Sequence, residues 1–142
     1  MEQKINFYSE NNFILEEEEE YEKWIKSLIV SEGKKTGEIS YIFCDDAYLH
    51  KINQEYLNHD TYTDIISFDD SIGNIVQGDI FISTERVAEN AMEYNVSFNE
   101  ELRRVMAHGI LHFCGYKDKT ESETALMRQK EDEKIKLFHV EQ

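Results

Sequence analysis

Three side chains that could share a metal ion lie within eleven consecutive residues of this chain. His108 and His112 are four residues apart in the run His108-Gly109-Ile110-Leu111-His112-Phe113. A helical period of 3.6 residues puts both imidazoles on one face. Gly115 then offers the left-handed residue on which helices often stop, and the chain can double back to bring Asp118 beside the two rings. Two imidazoles and one carboxylate leave a fourth position open, as in catalytic rather than structural zinc sites. Zinc is the expected ion, one per chain, with nickel or manganese as alternatives. A water activated by such an ion has its pKa lowered toward about 7. The competing reading is two histidines that only hydrogen-bond at the edge of a core. The zincin pattern H-E-x-x-H carries a glutamate general base after its first histidine. Gly109 stands there in this chain, which weakens a peptidase reading.

The segment resembles the YbeY family, bacterial metal-dependent endoribonucleases also called rRNA maturation factors, whose signature runs H-G-x-L-H-x-x-G-Y-D-H. His108, Gly109, Leu111, His112, Gly115 and Tyr116 match it, while Lys117 and Asp118 replace its final aspartate and histidine. A second block, Ile52-Asn53, Tyr56, Asp60, Thr63-Asp64, Ile65-Ile66 and Ser67-Phe68 followed by Gly78-Asp79-Ile80, is also similar to the family. Most of the family has an arginine where this chain has Leu57, and a proline where it has Tyr62. The resemblance implies an endoribonuclease that prefers single strands, acting in maturation of the small-subunit rRNA 3′ end and in ribosome quality control. It implies RNA and the ribosome or its proteins as partners, and a cytoplasmic location. Phosphoryl chemistry needs positive charge near the developing oxyanion, so Arg104 or Lys117 is the candidate to replace the missing arginine. Arg104 shares the histidine face, whereas Arg103 points away. His59, in the loop of the second block, is a candidate for substrate contact; His50 and His139 read as surface or core-edge residues.

These residues need a scaffold to hold them. On a wheel of about 100° per residue, Glu101, Arg104, Val105 and His112 fall within roughly 60° of His108. Leu102, Met106, Gly109, Ile110 and Phe113 form a separate apolar stripe, and Ser97-Phe98-Asn99-Glu100 reads as a capping box. Ahead of this helix the pattern predicts a strand over residues 4–8. A helix led by the run Glu16 to Glu20 follows, with Tyr21, Trp24, Ile25, Leu28 and Ile29 on one face. A basic loop from Gly33 to Gly37 precedes a strand from Ile39 to Cys44. Asp45 or Asp46 caps a helix carrying Tyr48, Leu49, Ile52 and Tyr56. A polar loop leads to a strand from Ile65 to Phe68. The polar stretch Asp69 to Gly73 with Asn74 reads as turn or mobile loop, with an extension to Gln77 as the longer alternative, and Asp79 to Ser83 as a fourth strand. Ser83 or Thr84 opens a helix with Val87, Ala88, Ala91 and Met92. After the histidine helix, Thr120-Glu121-Ser122-Glu123 opens a charged C-terminal helix with Leu126, Met127, Leu137 and Phe138. The order β-α-β-α-β-β-α-α-α predicts an α+β domain with a small mixed four-stranded sheet and about five helices, one of them a zincin-like metal helix.

At 142 residues the chain is expected to form one domain. No apolar run reaches the length of a membrane span, and no basic segment leads an apolar secretory region. Two cysteines, Cys44 and Cys114, suit a reducing compartment; Cys114 points away from the histidines. A formal net charge of −15 argues against a protein that coats nucleic acid electrostatically. It does not exclude a nuclease delivered to RNA by a partner, and no nucleotide cofactor is indicated. The alternative classes are a non-enzymatic ribosome assembly factor whose metal braces the fold, and a zinc peptidase.

Overall fold

The computed structural model describes residues 4–57 and 63–140. Its elements run β1 (Lys4–Ser9), α1 (Glu18–Ser31), β2 (Lys35–Cys44), α2 (Asp46–Leu57), β3 (Ile65–Asp69), β4 (Ile75–Ser83), α3 (Thr84–Tyr94), α4 (Phe98–Phe113) and α5 (Glu121–Val140). This is the expected α+β order. The four strands form one mixed sheet in the order β1-β2-β4-β3, with β1 and β4 parallel to β2 and β3 antiparallel to β4.

Strand periodicity of two divides the apolar residues between the faces of the sheet. Ile39, Tyr41 and Phe43 of β2 and Val76, Ile80 and Ile82 of β4 enter the main core with α1, α4 and α5. Cys44, Ile66, Phe68 and Phe81 turn the other way, into a smaller cluster with Leu49 and Ile52 of α2. Asp45 caps α2 by accepting from the Tyr48 N–H (3.0 Å), and Ser83 caps α3 by accepting from Arg86 (3.1 Å).

One stretch expected to be loop, Gly33 to Gly37, is strand from Lys35 onward. Lys35 already pairs with Ile75, and only after a register shift between Thr36 and Ile39 does β2 resume its pairing with β4. The neighbouring strand supplies partners that override the weak strand preference of Gly37. The turn expected from Asp69 to Asn74 is present as a tight hairpin in which Ile72 bridges Ile75 around Gly73-Asn74, and only the longer extension to Gln77 is taken up by β4. Gly73 takes φ +59, the left-handed geometry that two-residue hairpins demand.

α4 is buried on more than its apolar stripe. Glu101, Val105 and Ala107 are inaccessible along with Leu102, Met106, Gly109, Ile110, Leu111 and Phe113. The sheet lies under the helix, and α1, α3 and α5 flank it. The Tyr41 hydroxyl donates to the Met106 carbonyl across this packing (3.0 Å).

α5 docks through charged residues as well as apolar ones. Met127, Ile135 and Phe138 are buried, and so are Glu131 and Lys134. The Lys134 ammonium reaches Glu32 (2.7 Å) and donates to Ser31 Oγ (2.8 Å), while the Trp24 indole donates to the Lys134 carbonyl (2.7 Å). Burial alone would raise the Glu32 pKa; hydrogen bonds from Lys134 and Tyr116 outweigh it and leave it lowered. Stability from this carboxylate is therefore present above its ordinary pKa and lost as the pH falls through the lowered one. Lys134→Ala should cost about 3 kcal/mol in urea unfolding at pH 7, the magnitude for breaking a buried ion pair. The gap to wild type should narrow as the pH drops below the ordinary carboxyl value of 4.5.

Candidate metal centre

Two capping motifs place the three candidate ligands. Ser97 starts α4 by accepting from the Glu100 N–H (3.1 Å). The helix ends in a Schellman motif: the Gly115 N–H donates to the His112 carbonyl and the Tyr116 N–H to the Leu111 carbonyl, both at 3.0 Å. Gly115 sits at φ +106, where a side chain would be strained. The chain then runs directly into the second motif. Thr120 and Glu123 cap α5 reciprocally, the Glu123 N–H donating to Thr120 Oγ1 (3.1 Å) and the Thr120 N–H to Glu123 Oε1 (3.0 Å). Asp118 is held between the two motifs, and its carbonyl accepts from the Thr124 hydroxyl (3.0 Å).

The result is a cluster in which one donor atom from each of His108, His112 and Asp118 lies within 4.8 Å of the others. Asp118 Oδ2 is 3.2 Å from His108 Nε2 and 3.4 Å from His112 Nε2. The rings are 4.7 Å apart and nearly perpendicular. All three side chains are partly open to solvent, at 21%, 33% and 38% exposure, so an ion can enter. Two imidazole nitrogens and a carboxylate oxygen converging from one side fit a divalent ion with an open position.

A fourth residue, not apparent from the sequence, supports the cluster. Glu131 of α5, buried, lies 2.7 Å from His108 Nδ1 through Oε2. A proton held on Nδ1 by that carboxylate leaves the Nε2 lone pair facing Asp118 and His112. Burial lowers the His108 pKa, but the hydrogen bond and charge of Glu131, with Asp118 and Asp64, outweigh it and leave it raised. Glu131 is itself held by Arg104, whose guanidinium reaches Glu131 Oε1 (3.0 Å) and Asp132 Oδ1 (2.7 Å). Arg104 does share the histidine face, but its charge is spent on these two carboxylates rather than offered to a substrate. Arg103 stacks on the Phe138 ring (3.8 Å).

A cleft of about 880 Å³ opens in front of the cluster, lined by His108, His112, Asp118, Asn53, Leu57 and Lys119 among others. Leu57, at the position of the family's arginine, forms an uncharged part of the wall. Lys119 lines the cleft; Lys117 is exposed and does not. His59 lies outside the described residues. Cys114 is not part of the cluster, and burial pushes its thiol up to about 11. Gly109 faces the sheet: a Cβ there would come within 3.0 Å of Ile80 Cδ1 and 3.1 Å of Ile65 Cδ1. A side chain at that position would crowd both isoleucines, and glycine there supplies no general base of the zincin peptidase kind.

A mixed sheet carrying a helix with two histidines and a carboxylate on its terminal turn defines a class of α+β proteins built around a metal-binding helix. The model of the family described as endoribonuclease YbeY matches residues 4–139. Endoribonuclease YbeY of Christiangramia forsetii is 68% identical over 139 residues, covering 98% of this chain and 97% of that protein. That of Flavobacterium johnsoniae is 64% identical over 138 residues, covering 97% and 99%. The chain belongs to the YbeY family of endoribonucleases. The solution structure of TM1509 from Thermotoga maritima shares the fold, with TM-score 0.67 at 23% identity over 97% of this chain and 91% of that one.

Glu131→Gln should lower zinc affinity about 10–100-fold in a competitive chelator titration, the usual effect of removing a ligand's carboxylate partner. His108→Ala, His112→Ala and Asp118→Ala should each abolish stoichiometric zinc by elemental analysis. Cys114→Ser should retain it. In the folded protein at pH 8, Cys114 should alkylate on the order of a hundredfold more slowly than in guanidinium, because little thiolate is present.

Proposed function

We propose that this chain is a zinc-dependent endoribonuclease acting on single-stranded RNA, with a role in rRNA maturation at the 3′ end of the small-subunit RNA and in ribosome quality control. The observation that carries the reading is the His108–His112–Asp118 cluster at the head of an open cleft in a member of the YbeY family. RNA, as rRNA, is the substrate, and the ribosome or its proteins are the partners. The cytoplasm, where ribosomes are assembled, is the location that follows; among the described residues no helix is long and apolar enough to cross a membrane.

A divalent ion held at the cluster supplies Lewis acidity and a nucleophile at neutral pH. The protein's own part is to orient and to neutralise. Glu131 keeps the proton of His108 on Nδ1, and Arg104 keeps Glu131 in place. Among the described residues Lys119 is the cation on the cleft wall, and it binds the phosphate beside the third ligand. It takes the role that the sequence suggested for Arg104 or Lys117.

Metal-loaded and chelator-stripped protein should be incubated with unstructured RNA and with casein. Cleavage of RNA alone, dependent on metal and lost in His112→Ala, supports the reading. Activity that survives His112→Ala would come from a contaminating nuclease and overturn it. Metal retention with no cleavage of either polymer would favour an assembly factor braced by its metal, which the acidic composition suits as a partner for basic ribosomal proteins. Lys119→Ala should reduce kcat/KM on RNA about tenfold or more at full metal occupancy. Lys117→Ala should leave it near wild type, and Arg104→Ala should act through weakened zinc affinity.

A further inference from the structure

Behind His108, between α3, α4 and α5, lies a second cavity of about 250 Å³. It shares His108, Asp118, Asp64 and Ile65 with the cleft, so whatever enters it sits beside the metal centre. Val105 and Met127 give it apolar walls, and Tyr94, 53% exposed, stands at its rim. Glu101 also lines it. The residue as a whole is only 4% exposed, and among the described residues no hydrogen bond or ion pair claims its carboxylate, whose oxygens open onto the cavity. Arg104, on the same face, is committed to Glu131 and Asp132, and Arg128 acts on Glu101 only through space. Burial raises the pKa of Glu101 and likewise of Asp64. A carboxylate that no protein donor claims, opening onto a cavity beside the metal centre, is available to the donors of a ligand.

A second metal ion is not that ligand. Among the described residues, the only histidine, cysteine and carboxylate donors close enough to converge on one ion are His108, His112 and Asp118. Hard cations require several oxygens around them. The cavity instead combines apolar walls, an aromatic edge and an acceptor pair at its base, which are the elements that hold an unstacked base.

We propose that this cavity receives a single guanine of the RNA strand lying across the metal centre, its N1–H and exocyclic amine donating to the two oxygens of Glu101. The assignment rests on the endoribonuclease reading above. Guanine alone among the four bases presents two adjacent N–H donors on its Watson–Crick edge. Uracil and cytosine set acceptors beside their donor, and adenine has one donor flanked by an acceptor, so each faces the carboxylate with repulsion. Tyr94 offers a ring for stacking, and Arg128 a charge for the adjoining phosphate.

The test uses metal-loaded protein and unstructured oligoribonucleotides that differ at one nucleotide, with guanine, inosine, adenine or uracil, and maps each cut. Cleavage next to guanine should exceed that next to adenine roughly tenfold or more, the discrimination expected of a bidentate contact. Inosine, which lacks the amine, should lose most of the advantage. Glu101→Gln should bring the guanine-to-adenine ratio close to one, with zinc content retained and a Tm no lower than wild type. Equal cutting at all bases, or a preference that survives Glu101→Gln, overturns the guanine pocket while the nuclease reading stands. Should metal-replete wild type cut no RNA, the nuclease reading falls and the inference falls with it.

Discussion

The 2.7 Å hydrogen bond between Glu131 and His108 is the contact on which the rest of the architecture converges. It joins the helix that carries the two candidate histidine ligands to α5, and it forms only if both are docked. α4 is fixed by the sheet beneath it, where Gly109 lets the backbone approach Ile80 and Ile65. α5 is fixed by Lys134 on Glu32 and by Trp24 on the Lys134 carbonyl, partners 102 and 110 residues apart in the chain but adjacent in space. Arg104 then ties Glu131 to α4 a second time. A buried carboxylate is tolerable here because it is shared between an imidazole and a guanidinium.

Electrostatics explains how an acidic chain can hold a centre meant for anions. The formal charge of −15 is carried largely by exposed runs such as Glu16 to Glu20 and by the outer face of α5. Near the cluster the carboxylates are mostly committed: Glu131 to His108 and Arg104, Asp132 to Arg104, Asp118 to both histidines. What remains open on the cleft wall includes a lysine rather than a guanidinium, a compact and mobile charge in place of a rigid fork.

The three candidate ligands were legible because they are local. A four-residue spacing, a glycine stop and a carboxylate within reach of the turn need no knowledge of tertiary structure, and the element order likewise followed from periodicity and caps. The misses all involve partners distant in the chain. Glu131 lies in a helix that also carries Glu121, Glu123, Asp132 and Glu133, and nothing in its neighbourhood marks one carboxylate as inward-facing. Arg104 was placed on the correct face but without the acceptors that claim it. Lys35 and Gly37 read as loop because their strand partner is forty residues away.

Because Glu131 follows Asp118 in the chain, the order of synthesis has a consequence for when the centre matures. A nascent polypeptide that has emerged as far as Asp118 owns all three donors but not the carboxylate that orients His108, nor the Lys134 anchor that seats α5 on α1. The centre is therefore completed only once α5 has emerged and is free to dock. A product truncated before α5 would carry the full signature and still hold its ion poorly.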